Sequence, residues 1–185
     1  MLNGNKGITL NDLQYPRAIY TLWTEAERNA IGIYSIVYDD TNKKDEKWYI
    51  NTNQSYAFAN NKVTATYGTA TARAHADANG VDENGDELDP VVVIEGLKTK
   101  LIRDVKAQAA GELAKTDWYI TRKAEKNTAI PSAITTHRDA VRSKQAAMET
   151  AITNASDTAA LETLYTATKQ DDGTVARPLG QLPTL

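Results

Sequence analysis

The chain contains no cysteine, which excludes disulfides and thiolate metal ligands. Its two histidines, His75 and His137, lie far apart and outside any HExxH-type ligand spacing. One phenylalanine and two methionines among 185 residues leave any core to be built from aliphatics, alanine, tyrosine and tryptophan. No apolar run is long enough to span a membrane. The opening Met1-Leu2-Asn3-Gly4-Asn5-Lys6 lacks the apolar segment of a secretory signal, so a soluble protein made in a cytoplasm is expected. Charge of one sign is also missing. A net charge of −3 argues against a dominant nucleic-acid-binding surface, which normally carries a basic excess.

The motifs of chemistry are missing as well. There is no GxSxG and no cysteine nucleophile, and neither GxxxxGK[ST] nor GxGxxG to cradle a phosphate. The paired acids Asp39-Asp40 and Asp171-Asp172 fall in turns, where they read as solvated carboxylates. Asp77, Asn79 and the run Asp82-Glu83-Asn84-Gly85-Asp86-Glu87 approach a calcium loop, but the register fails twice. Counted from Asp77 the fifth position is Val81, and counted from Asp82 the sixth is Glu87 instead of glycine. A solvated turn on Asn84-Gly85 is expected instead. No catalytic, cofactor or metal residue emerges, and the chain reads as a non-enzyme with no cofactor.

What is present is an ordered succession of strand and helix patterns. Gly4 and Gly7 punctuate an extended or fraying start. Ala18 to Leu22 reads as a strand after Pro16. Thr24-Glu25-Ala26-Glu27 is a capping box, and Gly32 is placed to end the short helix it starts. Ile33 to Tyr38, Lys47 to Asn51 and Ser55 to Ala59 read as strands rich in β-branched and aromatic residues. Asn60-Asn61 is a hairpin turn, because asparagine tolerates positive φ, and Lys62 to Tyr67 completes the pair. The front of the chain therefore predicts a small, mostly antiparallel sheet.

A long amphipathic helix is predicted from Val91 to Lys115, with Ile94, Leu97, Leu101, Val105 and Leu113 on one stripe and Gly96 and Gly111 as weak points. A second runs from Pro131 to about Ala155. Ile134, Val141, Met148 and Ala155 recur every seventh residue, while Arg138, Gln145 and Ile152 fill the alternate seam positions. The seam suits either a contact between subunits or a helical hairpin within one chain. Ser156-Asp157-Thr158 starts a short helix carrying Leu161, Leu164 and Tyr165. The two prolines in the last nine residues exclude a helix there. Leu179, Leu182 and Leu185 make that segment an extended arm, expected to dock chiefly on a neighbour in an assembly.

Between the long helices lies the densest mixture of side chains. Asp117 is expected to cap a short helix, and Trp118 to pack between the two long helices. Arg122, Glu125 and Arg138 are candidates for an ion-pair set around this corner. The run T-D-W-Y-x-x-R-K-A-E-x-x-x-A-I-P, followed after a short spacer by H-R-D-A-V-R, resembles a helical module of tailed-bacteriophage structural and tail-assembly proteins. The likeness covers roughly positions 97 to 155, with His137 where the module carries a tyrosine, and Gln14 to Ile33 resembles the front end of the same proteins. The resemblance implies a virion or virion-assembly protein without catalysis. It points to a structural component of a phage tail, an adaptor or fibre-attachment protein contacting tail tube, baseplate or fibre, made in the host cytoplasm. Its alternative is an assembly chaperone not retained in the particle. By likeness to fibre-type proteins it also implies a homo-oligomer, a trimer first.

The expected architecture is thus α+β: a small β domain at 1–68, a linker at 69–90, a helical hairpin or bundle at 91–170 and an arm at 171–185. The candidate interface residues are Trp118, Ile134, Val141, Met148, Ile152, Leu179, Leu182 and Leu185.

Overall fold

The computed structural model describes residues 6–52 and 54–185; the expected fraying start around Gly4 lies outside them. The fold is α+β, with short strands first and helices after. The chain divides into two units, Met1–Thr71 and Ala72–Leu185.

In the first unit, β1 (Ile8–Leu10) and β2 (Leu13–Tyr15) form a hairpin. Asn11 and Asp12 turn it with φ of 49° and 65°, the left-handed pair that a two-residue turn requires. The segment expected as a strand after Pro16 is instead a helical turn, α1 (Ile19–Leu22). The Ile19 and Tyr20 N–H groups donate back to the carbonyls of Pro16 and Arg17, so local bonds satisfy this stretch before a partner strand is needed. α2 (Glu25–Ala30) starts on the complete capping box of Thr24 and Glu27, and Gly32 follows it at φ 83°. Ile33 is drawn into this helix end, its N–H donating to Arg28 carbonyl oxygen at 3.0 Å. For that reason β3 (Ile36–Asp39) starts three residues later than the aliphatic pattern predicts.

β4 (Tyr49–Ile50) precedes β5 (Ser55–Ala59) and β6 (Lys62–Thr66). Asn60 and Asn61, at φ 53° and 58°, close the β5–β6 hairpin as predicted. The sheet order is β3-β6-β5, and β3 runs parallel to β6, Ile36 facing Val63 and Asp39 facing Thr66. The sheet is therefore mixed. A parallel pair needs a long crossover, and the loop, β4 and β5 between β3 and β6 supply it. β6 is central, and its Ala65 is fully buried, as is Ile19; Trp48 and Tyr49 are buried too. The two-residue strand β7 (Thr71–Ala72) lies at the division between the units.

The second unit opens on residues expected as linker, and these are structured. β8 (Ala78–Asn79) pairs antiparallel with β9 (Val93–Ile94). The Gly80 N–H donates to Val92 carbonyl oxygen, and Val81 bridges Glu87. Between them Asp82 accepts from the N–H groups of Asn84 and Asp86 around Gly85, at φ 90°. The first long helix is shorter than predicted: α3 runs Leu97–Ala114. Val91 to Ile94 are β-branched, and Val93 and Ile94 take the strand option. Gly96 then caps the helix where a Cβ would lie 2.3 Å from Ala76 carbonyl oxygen. Asp77 completes that start, accepting from Gly96 N–H at 2.7 Å and Thr99 Oγ1 at 2.8 Å.

α4 (Asp117–Lys126) ends on Asn127 at φ 52°, and α5 (Ser132–Asn154) follows Pro131. α3 and α5 form an antiparallel hairpin. Lys98 near the start of α3 donates to Thr153 near the end of α5, whereas Arg138 near the start of α5 reaches Leu113 near the end of α3. Leu101, Val105 and Ala109 of α3 and Ile134, Val141, Met148 and Ile152 of α5 are buried. α6 (Thr158–Tyr165) is capped by Asp157 and buries Leu161. A hairpin, β10 (Thr168–Lys169) with β11 (Val175–Ala176), leads into the arm.

Candidate functional site

The corner that carries the recognisable run is pinned by an arginine, not by a tryptophan. Arg138 is buried in the seam, with Nη1 at 2.8 Å from Leu113 carbonyl oxygen, 2.7 Å from Thr116 Oγ1 and 2.8 Å from Asp117 Oδ1. A cation at the C-terminal end of α3 adds a bond to a carbonyl that also accepts from the Thr116 N–H and meets the negative end of the helix dipole. Thr116 is fully buried beside it, its hydroxyl donating to the same Leu113 carbonyl. Asp117 is the first residue of α4 and spends its carboxylate on Arg138 instead of capping. Of the expected set Arg122, Glu125 and Arg138, only Arg138 forms an ion pair at the corner, and with Asp117 instead of Glu125, while Arg122 lies over aromatic rings.

With Arg138 in the corner, Trp118 is turned outward. It is 51 % exposed, against the expectation that it packs between the long helices. α4 has no buried residue at all, although it carries Trp118, Tyr119 and Ile120. These side chains organise one another: the Trp118 and Tyr119 rings lie 3.8 Å apart between centroids. The Arg122 guanidinium stands 4.7 Å from the Trp118 ring and 5.5 Å from the Tyr119 ring, a cation over two π faces. Arg122 Nε, His137 Nε2 and Arg138 Nε are buried with no protein partner.

The other candidate residues separate into two groups. Ile134, Val141, Met148 and Ile152 are buried inside the chain's own hairpin, so the seam expected at a possible subunit contact is closed within one chain. Gln145, at a seam position, donates to Glu149 at 2.8 Å. In the arm, Leu179 is buried and its N–H donates to Leu164 carbonyl oxygen at 3.0 Å. Leu182 is half-buried, and Leu185 is exposed. The arm, expected to dock chiefly on a neighbour, is anchored at Leu179 to its own helix α6. It encloses with α3, Met148 and Tyr165 a cleft of about 570 Å³.

Two surfaces gave no signal in the sequence reading. One is a cleft of about 730 Å³ in the first unit, lined by Tyr20, Arg28, Tyr34, Tyr38 and Tyr56 among others; its tyrosines come from α1, β3, β5 and the loop before β3 and share no spacing. The other is the strip Val91-Val92-Val93-Ile94, exposed throughout, which periodicity placed on a helix.

Glu27, Asp39, Asp82, Asp157 and Asp172 are held below the usual carboxylate range by hydrogen bonds from nearby backbone or hydroxyl groups. For Asp77 the bonds from Gly96 and Thr99 do the same. Each of these carboxylates is explained by a turn or cap. Tyr165 is the exception: burial, then the Asp104 charge, pushes its hydroxyl up to about 12. Among the described residues no group of His, Asp and Glu is placed to hold a metal ion, and no helix is long and apolar enough to cross a membrane. No protein-family model, curated protein or solved structure matches the chain.

Proposed function

We propose that this chain is a structural component of a bacteriophage tail, an adaptor or fibre-attachment protein that grips a neighbouring tail protein and works as a homo-oligomer. The reading starts from the resemblance of the Thr116-to-Arg142 run to phage tail modules. The observation that carries it is the division of labour within that run. Thr116, Asp117 and Arg138 tie the corner together, while Trp118, Tyr119 and Arg122 are spent on an ordered, outward-facing surface. A helix without a buried residue that holds two adjoining aromatics under an arginine is costly to leave in water. Tryptophan, tyrosine and arginine are also the residues that dominate binding hot spots.

The test is Trp118→Ala in the phage. Because the ring is half-exposed, unfolding stability should fall by about 1 kcal/mol or less, well short of the roughly 3–5 kcal/mol of a buried tryptophan. Incorporation into purified particles, read by mass spectrometry, should drop severely. Wild-type incorporation of the variant sinks the docking role of α4. A wild-type chain abundant in infected cells but missing from finished particles identifies an assembly chaperone instead.

A further inference from the structure

The cleft of about 730 Å³ in the first unit has a sheet side and a helical side. Register fixes the sheet side. Tyr38 of β3 and Tyr56 of β5 both pair with Ala65 of β6, and residues in register across neighbouring strands share a face. The two tyrosines therefore flank one small residue, two strand spacings or roughly 10 Å apart. Both residues are half-exposed, at 56 % and 50 %. Ile36 and Val63 form the next row of the same face, and Tyr34 is braced by Phe58, 4.5 Å away between ring centroids. The helical side brings Tyr20 from α1 and Arg28 from α2, the one charged side chain in the lining among the described residues. Arg28 donates to Trp23 carbonyl oxygen, which holds the guanidinium in place. No carboxylate in the lining answers it, and neighbouring Glu27 accepts instead from the Thr24 N–H and hydroxyl.

A half-open cleft walled by tyrosine and carrying one unanswered cation suits an extended ligand with apolar ridges and a negative charge. Single-stranded nucleic acid would need a row of cations along its backbone, and the lining has one. A drug-sized molecule would need most of its surface buried, which walls this exposed do not provide. A peptide fits. Tyrosine, serine, glycine and arginine are the side chains with which paratopes hold protein segments, and Ser35 and Gly32 complete that set here. Aromatic-lined grooves also take polyproline II segments, whose turn of three residues advances about 9 Å, close to the tyrosine spacing. We infer that this cleft binds an acidic proline-rich segment of a partner protein. Prolines three residues apart lie against Tyr38 and Tyr56, and a glutamate or aspartate between them turns to Arg28 for a charge-assisted bond. The chain's own arm lacks this pattern, because Pro178 and Pro183 are five residues apart with no acid between them. The inference uses nothing of α4 and stands independently of the tail reading.

The probe is a fluorescein-labelled peptide, Pro-Glu-Ala-Pro-Glu-Ala-Pro, titrated with the full-length protein and followed by fluorescence anisotropy. Its companions are the same peptide with glutamine for glutamate, and a scrambled peptide of the same composition with its prolines adjacent. The glutamate peptide should bind, and each companion should bind about tenfold more weakly or worse. Tyr38→Ala, at a half-exposed position, should weaken the glutamate peptide about tenfold and leave the chain cooperatively folded in a thermal melt. Arg28 also holds the Trp23 carbonyl, so its variant is read through selectivity: Arg28→Gln should bring the glutamate and glutamine peptides to equal affinity. Failure of the glutamate peptide to bind wild type at millimolar concentration overturns the inference. So does equal binding of the scrambled peptide, a Tyr38→Ala chain that binds like wild type, or a glutamate preference that survives Arg28→Gln. A labelled oligothymidylate that binds more tightly than the peptide assigns the cleft to single-stranded nucleic acid and overturns it as well.

Discussion

Two glycines on one helix make opposite demands. Gly96 caps α3 where a Cβ would fall 2.3 Å from Ala76 carbonyl oxygen and 2.9 Å from its Cα; backbone cannot step aside as a flexible side chain can. Gly111 sits within the same helix with nothing inside 4 Å of its would-be Cβ, so there it costs helix propensity and meets no packing need. Gly111→Ala should therefore stabilise the chain by up to about 1 kcal/mol. Gly96→Ala should destabilise it by about 2 kcal/mol or more, in the range of severe point mutants. Denaturant melts of the two variants check both signs. A Gly96→Ala chain of wild-type stability would mean that the approach to Ala76 is not a constraint.

The arm shows how far an element can be anchored by one residue. Leu179 is buried and bonded to Leu164, and Leu182 is half-buried. Removing everything after Gly173 strips these contacts from α6 and uncovers the cleft beside Tyr165. The cost should be about 2–3 kcal/mol, set by one full and one partial leucine burial. Equal denaturation midpoints for full-length and truncated chains would show that the arm contributes nothing to its own unit. Elements were legible in the sequence wherever a local rule decided them. The Thr24 capping box, the Asn60-Asn61 turn and the heptad of α5 all rest on neighbours within a few residues or on strict periodicity. The failures share a cause. Val91 to Ile94 fit a helical stripe, and only Asp77 and Ala76, far back in the chain, decide that the helix starts at Leu97. Trp118 reads as core because it is an aromatic at helical spacing. Whether it enters the hairpin depends on Arg138, whose buried bonds to Leu113, Thr116 and Asp117 no pattern of apolar residues announces. Exposed surfaces such as the Val91–Ile94 strip are harder still, since a sequence does not say which aliphatics a fold leaves outside.

For the molecule as a whole, pH should bracket stability from both ends. Glu27, Asp39, Asp77, Asp82, Asp157 and Asp172 all have folded-state values below their ordinary ones. What they contribute is fully present above the ordinary carboxylate values, about 4, and is lost as pH falls through the lower folded values. Tyr165 acts with the opposite sense. Its folded value is raised to about 12, so its contribution is present below the ordinary tyrosine value near 10 and is lost as pH climbs through 12. Thermal unfolding followed across pH should show a plateau with both limbs. Tyr165→Phe should flatten the upper limb and leave the lower one in place. An unaltered upper limb in that variant would assign it to other groups.

The parallel pairing of β3 with β6 also has a kinetic meaning. β5 finds β6 across a two-residue turn, so that hairpin can close within microseconds, like other short hairpins. β3 has no such shortcut. It must wait until a long stretch of intervening chain, with β4 inside it, is drawn in, and the entropy of closing that loop is lost before any ladder bond repays it. On the way to the native state the edge of β6 that β3 will pair with stands open beside a finished hairpin. The first unit is therefore vulnerable to mispairing late in folding at β3, a strand whose partner comes from far away in the chain.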